Sequence, residues 1–95
     1  MQLTKLLEGL DYTVCGAPMD RDISAPATDS RSVRPDGLFI CLRGTKRDGH
    51  RYAREAILRG AAACVCDTYI SGIPCVLVED TRHAAALIWN NFYGN

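Results

Sequence analysis

Apolar residues in this chain come in two kinds of pattern, and the order of the patterns predicts the fold. Leu3, Leu6, Leu7 and Leu10 fall at i, i+3, i+4 and i+7, one stripe of a 3.6-residue period, which predicts a short amphipathic helix over about the first ten residues. Tyr12-Thr13-Val14-Cys15 reads as a strand, and Pro18 and Pro26 mark turns in a mixed segment. Leu38-Phe39-Ile40-Cys41-Leu42 is apolar throughout, of strand length, introduced by Pro35-Asp36-Gly37 and closed by Gly44. A helix is predicted from Gly49 to Gly60, with Gly60 suited to a left-handed C-terminal cap. Ala61 to Cys66 and Cys75 to Val78 are two further strand-like runs, parted by the Ser71-Gly72-Ile73-Pro74 turn. Asp80 can cap a last helix through about Tyr93, with Ala84, Leu87, Ile88 and Phe92 on one face.

Continuous apolar strands alternating with helices argue for a parallel sheet buried on both sides. The expected fold class is therefore α/β: a small three-layer α/β/α domain with a mostly parallel sheet of four to five strands. Ninety-five residues fit one such domain, residues 1–95. There is no internal repeat or low-complexity tract, and no linker before the last residue. The N-terminus has no continuous apolar core, so a signal peptide is not expected. No apolar run approaches the length that spans a bilayer, so no membrane partner is expected.

Charge changes the picture. The net charge is zero, yet residues 31–54 hold seven Lys or Arg against Asp36 and Asp48, a local +5, balanced by four basic and nine acidic residues elsewhere. A local basic segment in a neutral protein points to an anionic ligand, or else to a plain solvated face. Aromatic residues near it are too few for a nucleic-acid stacking platform, so no nucleic-acid partner is expected. The five cysteines fit a reducing cytoplasm better than a disulfide framework, since Cys41, Cys64, Cys66 and Cys75 sit in apolar runs.

The candidate chemistry lies between Thr28 and His50. In Thr28-Asp29-Ser30-Arg31 the Asp29 carboxylate is best suited to folding back on turn amides. Ser30 and Thr28 can turn hydroxyls to a ligand, or Ser30 can simply serve the turn, and Arg31 offers a planar donor fork to phosphate or carboxylate. The loop Gly44-Thr45-Lys46-Arg47-Asp48-Gly49 follows a strand and precedes a helix, the place where ligands sit in open α/β sheets. Amides at the helix start would add a favourable field for an anion. It is not a phosphate loop of the G-x-x-x-x-G-K-[ST] kind, because His50 follows Gly49. His50 suits a neutral hydrogen-bonding role better than base catalysis, and His83 a surface position. Cys64 and Cys66 point to one face of a strand, but no second Cys or His pair at zinc spacing accompanies them, so no metal site is expected. No catalytic constellation can be assembled.

These residues resemble a known family. Asp29-Ser30-Arg31, Val33-Arg34-Pro35-Asp36-Gly37-Leu38-Phe39, Gly44, Asp48-Gly49-His50, Ala56 and Gly60-Ala61 follow the pattern D-S-R-x-V-x-P-G-D-L-F-x-A-x-x-G-x-x-x-D-G-H that opens the Mur ligases. Val78-Glu79-Asp80-Thr81-Arg82 and Asn91-Phe92-Tyr93-Gly94-Asn95 look most like the E-type branch, while the F-type branch shares the first block and matches the close less well. The resemblance covers nearly the whole chain. The usual Gly-Asp before Leu-Phe appears here as Asp36-Gly37, and the family's Thr-Gly-Thr-Asn-Gly-Lys-Thr loop has no counterpart.

The resemblance implies the N-terminal domain of an ATP-dependent, cytoplasmic amide ligase of peptidoglycan synthesis, which adds diaminopimelate or lysine to UDP-MurNAc-L-Ala-D-Glu. It implies substrate contacts from Thr28, Ser30, Thr45, Lys46 and Arg47, no catalytic residue in this chain, and ATP and Mg2+ bound only in the central and C-terminal domains. An F-type ligase domain and a free-standing nucleotide-sensing module are the alternatives.

Overall fold

A computed structural model of the chain describes residues 1–43 and 48–94. Its strands are β1 (Thr13–Cys15), β2 (Pro26–Ala27), β3 (Leu38–Ile40), β4 (Ala63–Cys66) and β5 (Cys75–Leu77), joined in one sheet in the order β1-β5-β4-β3-β2. β2 to β5 pair parallel, with Pro26 beside Leu38, Leu38 beside Ala63 and Cys64 beside Cys75; β1 is antiparallel to β5. The helices are α1 (Leu3–Leu6), α2 (Ala53–Leu58) and α3 (Thr81–Tyr93). The three-layer, mostly parallel α/β architecture expected from the sequence is the one observed.

Strand alternation separates two cores. Leu38 and Ile40, Ala63 and Val65, and Val76 face Leu3, Leu6, Ala84 and Ile88 of α1 and α3. Phe39 and Cys41, Cys64 and Cys66, and Cys75 face Ala53 and Ala56 of α2. Successive side chains of a strand point to opposite faces, so a strand covered by helices on both sides must be apolar at every position. That is why β3 and β4 read as unbroken apolar runs.

Three local outcomes differ from the periodicity. The first helix is one turn long rather than ten residues, because Asn91 of α3 takes the carbonyls of Leu6 and Glu8 at 2.9 and 3.0 Å and Gly9 reverses the chain at φ +90°. A helix this short does not stand alone; the full burial of Leu3, Leu6 and Leu7 holds it. The helix predicted to start at Gly49 begins as a 3-10 turn, Gly49–Tyr52, before α2. Pro26, expected in a turn, lies in edge strand β2, where its missing N–H costs no ladder bond.

Helix α3 forms where expected. Asp80 Oδ1 accepts from the amides of Arg82 and His83 at 2.9 and 3.3 Å, and Gly94 closes the helix at φ +69°. Asp36-Gly37 also gains a reason. Asp36 adopts φ +62°, a conformation Asp tolerates better than most residues, and a Cβ on Gly37 would stand 2.9 Å from the Arg34 carbonyl oxygen.

Candidate functional site

The carboxyl ends of the parallel strands open into a cavity of about 540 Å3. Thr28, Asp29, Ser30 and Arg31 follow β2, Leu42 and Arg43 follow β3, and Arg82 arrives from the first turn of α3; Gly49, Tyr52 and Glu55 close the far wall. A cleft outside the carboxyl ends of parallel strands is the general ligand position in open α/β sheets. Its size falls within the range of small-molecule sites, about 300–1,000 Å3. Phe39, Leu42 and Tyr52 give it apolar and aromatic surface, while Arg31, Arg43 and Arg82 bring positive charge against Asp29 and Glu55.

The first loop divides its labour. Asp29 caps the 3-10 turn Ser30–Ser32, its Oδ1 accepting from the Arg31 amide at 2.9 Å. The same carboxylate holds the Arg31 guanidinium, with Nη2 to Oδ2 at 2.9 Å, and this pairing raises the Arg31 pKa above its ordinary value. The donor fork expected for a ligand is therefore closed onto the chain itself. Thr28 is exposed on the cavity wall. Ser30 is buried, and its Oγ donates to Glu55 Oε2 at 2.8 Å. The structure thus brings Thr28 and Ser30 to one cavity. Thr45, Lys46 and Arg47, the other expected contacts, lie outside the described residues.

Around Asp48 a compact ionic network forms. Arg43 places Nη1 2.7 Å from Asp48 Oδ2, and its Nε and Nη2 make 2.8 Å bonds to the two oxygens of Asp67. Asp48 Oδ1 also accepts from the His50 amide at 3.0 Å and lies 2.7 Å from His50 Nδ1. The Asp67 amide donates to His50 Nε2 at 3.1 Å, and Asp67 Oδ1 lies at the same distance from that nitrogen, so two carboxylates flank the ring. His50 thus takes the hydrogen-bonding role expected of it. The Asp48 carboxyl is held below the usual range, first by the His50 amide, and that of Asp67 first by the Arg43 hydrogen bonds.

One expectation is corrected here. The Gly49, His50 and Arg51 amides present no free N–H to an anion, because each is already used: Gly49 donates to the Leu42 carbonyl at 2.7 Å, His50 to Asp48 Oδ1, and Arg51 to the Asp48 carbonyl at 3.0 Å.

A cation that no local sequence pattern singles out is Arg82. Its Nη2 donates to the Arg43 carbonyl at 3.3 Å, and among the described residues no carboxylate comes within ion-pair distance of it. Thirty-nine residues part Arg82 from Arg43, so only the return of α3 to the strand ends could reveal it. Tyr52 and Glu55 are hidden likewise, since both read as ordinary positions of the helix predicted from Gly49 to Gly60.

The sequence profile described as Mur ligase family, catalytic domain, matches residues 22–93. The chain belongs to the Mur ligase family. Within it, the chain is 47% identical to the UDP-N-acetylmuramoyl-L-alanyl-D-glutamate--2,6-diaminopimelate ligase of Caldanaerobacter subterraneus subsp. tengcongensis, a match covering all of this chain and 20% of that protein. The ligase of the same name from Bacillus licheniformis is 40% identical over 99% of this chain and 20% of its own length. The chain therefore spans about a fifth of these Mur ligases. Among solved structures, a crystal structure of MurF from Acinetobacter baumannii superposes with a TM-score of 0.82 at 21% identity, covering 95% of this chain and 20% of that one. The MurF ligase of Thermotoga maritima, solved in complex with ADP, gives a TM-score of 0.64 at 26% identity over 75% of this chain and 17% of that one. Among the described residues of this Mur ligase chain, no helix is long and apolar enough to cross a membrane.

Proposed function

We propose that this chain is the N-terminal substrate-binding domain of an E-type Mur ligase and holds the uridine-diphosphate end of UDP-MurNAc-L-Ala-D-Glu. The observation that carries the reading is the cavity that joins Thr28 and Ser30 to Tyr52, Arg43 and Arg82 at the strand ends. An aromatic and apolar surface beside guanidinium groups is the mixture a pyrimidine diphosphate requires: a face to stack on and planar donors for phosphate oxygens. Thr28 and Ser30, with Thr45, Lys46 and Arg47, are the proposed contacts. The E-type assignment is supported by relatives 35–47% identical, all named as diaminopimelate ligases.

In the whole enzyme, which we place in the cytoplasm, ATP phosphorylates the D-glutamate side-chain carboxylate and the amino group of diaminopimelate displaces the phosphate to form the amide. None of these residues carries that step. No glycine-rich loop ending in Gly-Lys-Thr or Gly-Lys-Ser occurs in the chain, which supports assigning ATP and Mg2+ to the central and C-terminal domains. This domain's contribution is positional: binding energy spent on the remote nucleotide fixes the reacting carboxylate.

Titration of the domain with UDP-MurNAc-L-Ala-D-Glu, followed by backbone NMR, tests the reading. Shifts gathered at residues 28–31 and 45–47 and around Arg82 are expected, together with no ATP-dependent ligation by this chain alone. Saturating ligand with no shifts in those segments overturns the site.

A further inference from the structure

We propose that Cys41, Cys66 and His50 form a site for a single thiophilic metal ion of the zinc class, with the Asp48 carboxylate holding the histidine in its ligating tautomer. The ligand atoms of the three residues all lie within 4.8 Å of one another. Parallel pairing of β3 with β4 sets Ile40 beside Val65, so the next residues on each strand, Cys41 and Cys66, continue side by side. Their Sγ atoms are 3.6 Å apart. Two thiolates on a tetrahedral zinc, each about 2.3 Å from the metal, stand about 3.8 Å apart. The sulfur pair is already at coordination spacing before any ion arrives.

His50 completes the set in the way metal-binding histidines do. Its Nδ1 lies 2.7 Å from Asp48 Oδ1, and its Nε2, which accepts from the Asp67 amide, also lies 3.1 Å from Asp67 Oδ1. A carboxylate behind a ligating imidazole orients the ring and raises its basicity. The Nε2 lone pair now accepts from the Asp67 amide at 3.1 Å, so an ion must displace that amide. Binding is therefore reversible in character, unlike that of a site that exists only with metal. Two sulfurs and an imidazole select zinc, cadmium or cobalt over magnesium and calcium, which take oxygen ligands. Three protein ligands leave the fourth position to water.

The trio is not visible along the sequence. Its members come from the end of β3, the turn before α2 and the end of β4, and none forms a C-x-x-C or H-x-x-x-H pair. Its burial sets the kinetics: Cys41 and Cys66 have no exposed surface and the His50 side chain is 9% exposed, so uptake waits on local opening of the 48–52 turn.

The alternative is that buried thiols here are only small apolar residues, and cobalt spectroscopy separates the two. The reduced, metal-free chain is titrated with Co2+. The expected result is a sulfur-to-cobalt charge-transfer band in the near ultraviolet, saturating at one equivalent and displaced by Zn2+. Cys41→Ser, Cys66→Ser and His50→Gln, each checked for folding by circular dichroism, should lose it, and Cys15→Ser should keep it. A second measurement needs no variant: thiol alkylation mapped by mass spectrometry. With Zn2+ about tenfold above its dissociation constant, labelling of Cys41 and Cys66 slows by about tenfold, and that of Cys15 does not. No band at excess Co2+, a band that survives both cysteine substitutions, or alkylation unchanged by Zn2+ overturns the site.

Discussion

Ser30 Oγ donates to Glu55 Oε2 at 2.8 Å, tying the turn after β2 to helix α2 across the cavity wall. The hydroxyl has one proton to give, so a ligand phosphate and Glu55 compete for it. The pair therefore sets the sign of two substitutions. Ser30→Ala removes the donor in both states, and nucleotide affinity should fall by about fivefold, the equivalent of about 1 kcal/mol for one hydrogen bond. Glu55→Gln keeps an acceptor but removes a negative charge from the cavity, and affinity should rise. Calorimetric titration with the UDP-linked substrate reads both; a loss of affinity in Glu55→Gln contradicts the competition.

Arg82 makes a cleaner probe of the cavity than Arg43, because the two guanidinium groups differ in what they already hold. Arg43 is bound to Asp48 and Asp67, and its removal strands two carboxylates. Arg82 meets only a backbone carbonyl among the described residues. Arg82→Ala should cost about 10- to 100-fold in nucleotide affinity, as expected of one charge-assisted contact, and change stability by no more than about 0.5 kcal/mol. Arg43→Ala should lower both affinity and the urea midpoint. Equal stability losses in the two variants would remove the distinction.

How far the sequence carried can be seen at particular residues. The sheet was legible because β3 and β4 must be apolar at every position, and α3 because Asp80 and Gly94 punctuate it. α1 was read too long, since the periodicity of Leu7 and Leu10 cannot show that Asn91, more than eighty residues away, takes the carbonyls of Leu6 and Glu8 and ends the helix. Within the site, Asp29 was legible as a cap because the interaction spans two residues. Ser30–Glu55, Arg82 and the Cys41–His50–Cys66 group were not, because each depends on strands pairing first. The local basic excess misled in one respect: Arg31 and Arg43 are already bound by carboxylates.

Acid should weaken the fold through the network beyond β3. Asp48 and Asp67 are both held below the usual carboxylate range, by the His50 amide and by Arg43 respectively. A carboxyl whose pKa is depressed by folding contributes stability above its unfolded value, near 3.9, and that contribution is lost as pH falls through the folded value. Urea midpoints should stay level from neutral pH to about pH 5 and decline below it. Asp48→Asn should flatten that decline while lowering the neutral-pH midpoint, because the Arg43 pairing goes with the charge. A decline of unchanged slope in both Asp48→Asn and Asp67→Asn would place the acid sensitivity elsewhere.

Gly49 is where the turn leading into α2 presses against the end of β3. A Cβ there would stand 2.7 Å from the Leu42 amide nitrogen, 2.8 Å from the Leu42 carbonyl oxygen and 3.1 Å from the Cys41 carbonyl carbon. All three are backbone atoms, so no side chain can rotate away to relieve the contact. The close approach also makes the 2.7 Å bond from the Gly49 amide to the Leu42 carbonyl, and a shift to accommodate the methyl would break it. Overpacking of this kind costs about 1–3 kcal/mol, and a lost backbone bond adds about 1 kcal/mol. Gly49→Ala should therefore lower stability by about 2–4 kcal/mol, read from urea denaturation. The displacement should also open the wall of the cavity at Leu42, so nucleotide binding should weaken even under conditions where the variant is fully folded. A variant with native stability and native affinity would show that the chain at Gly49 and β3 are further apart than 2.7 Å implies.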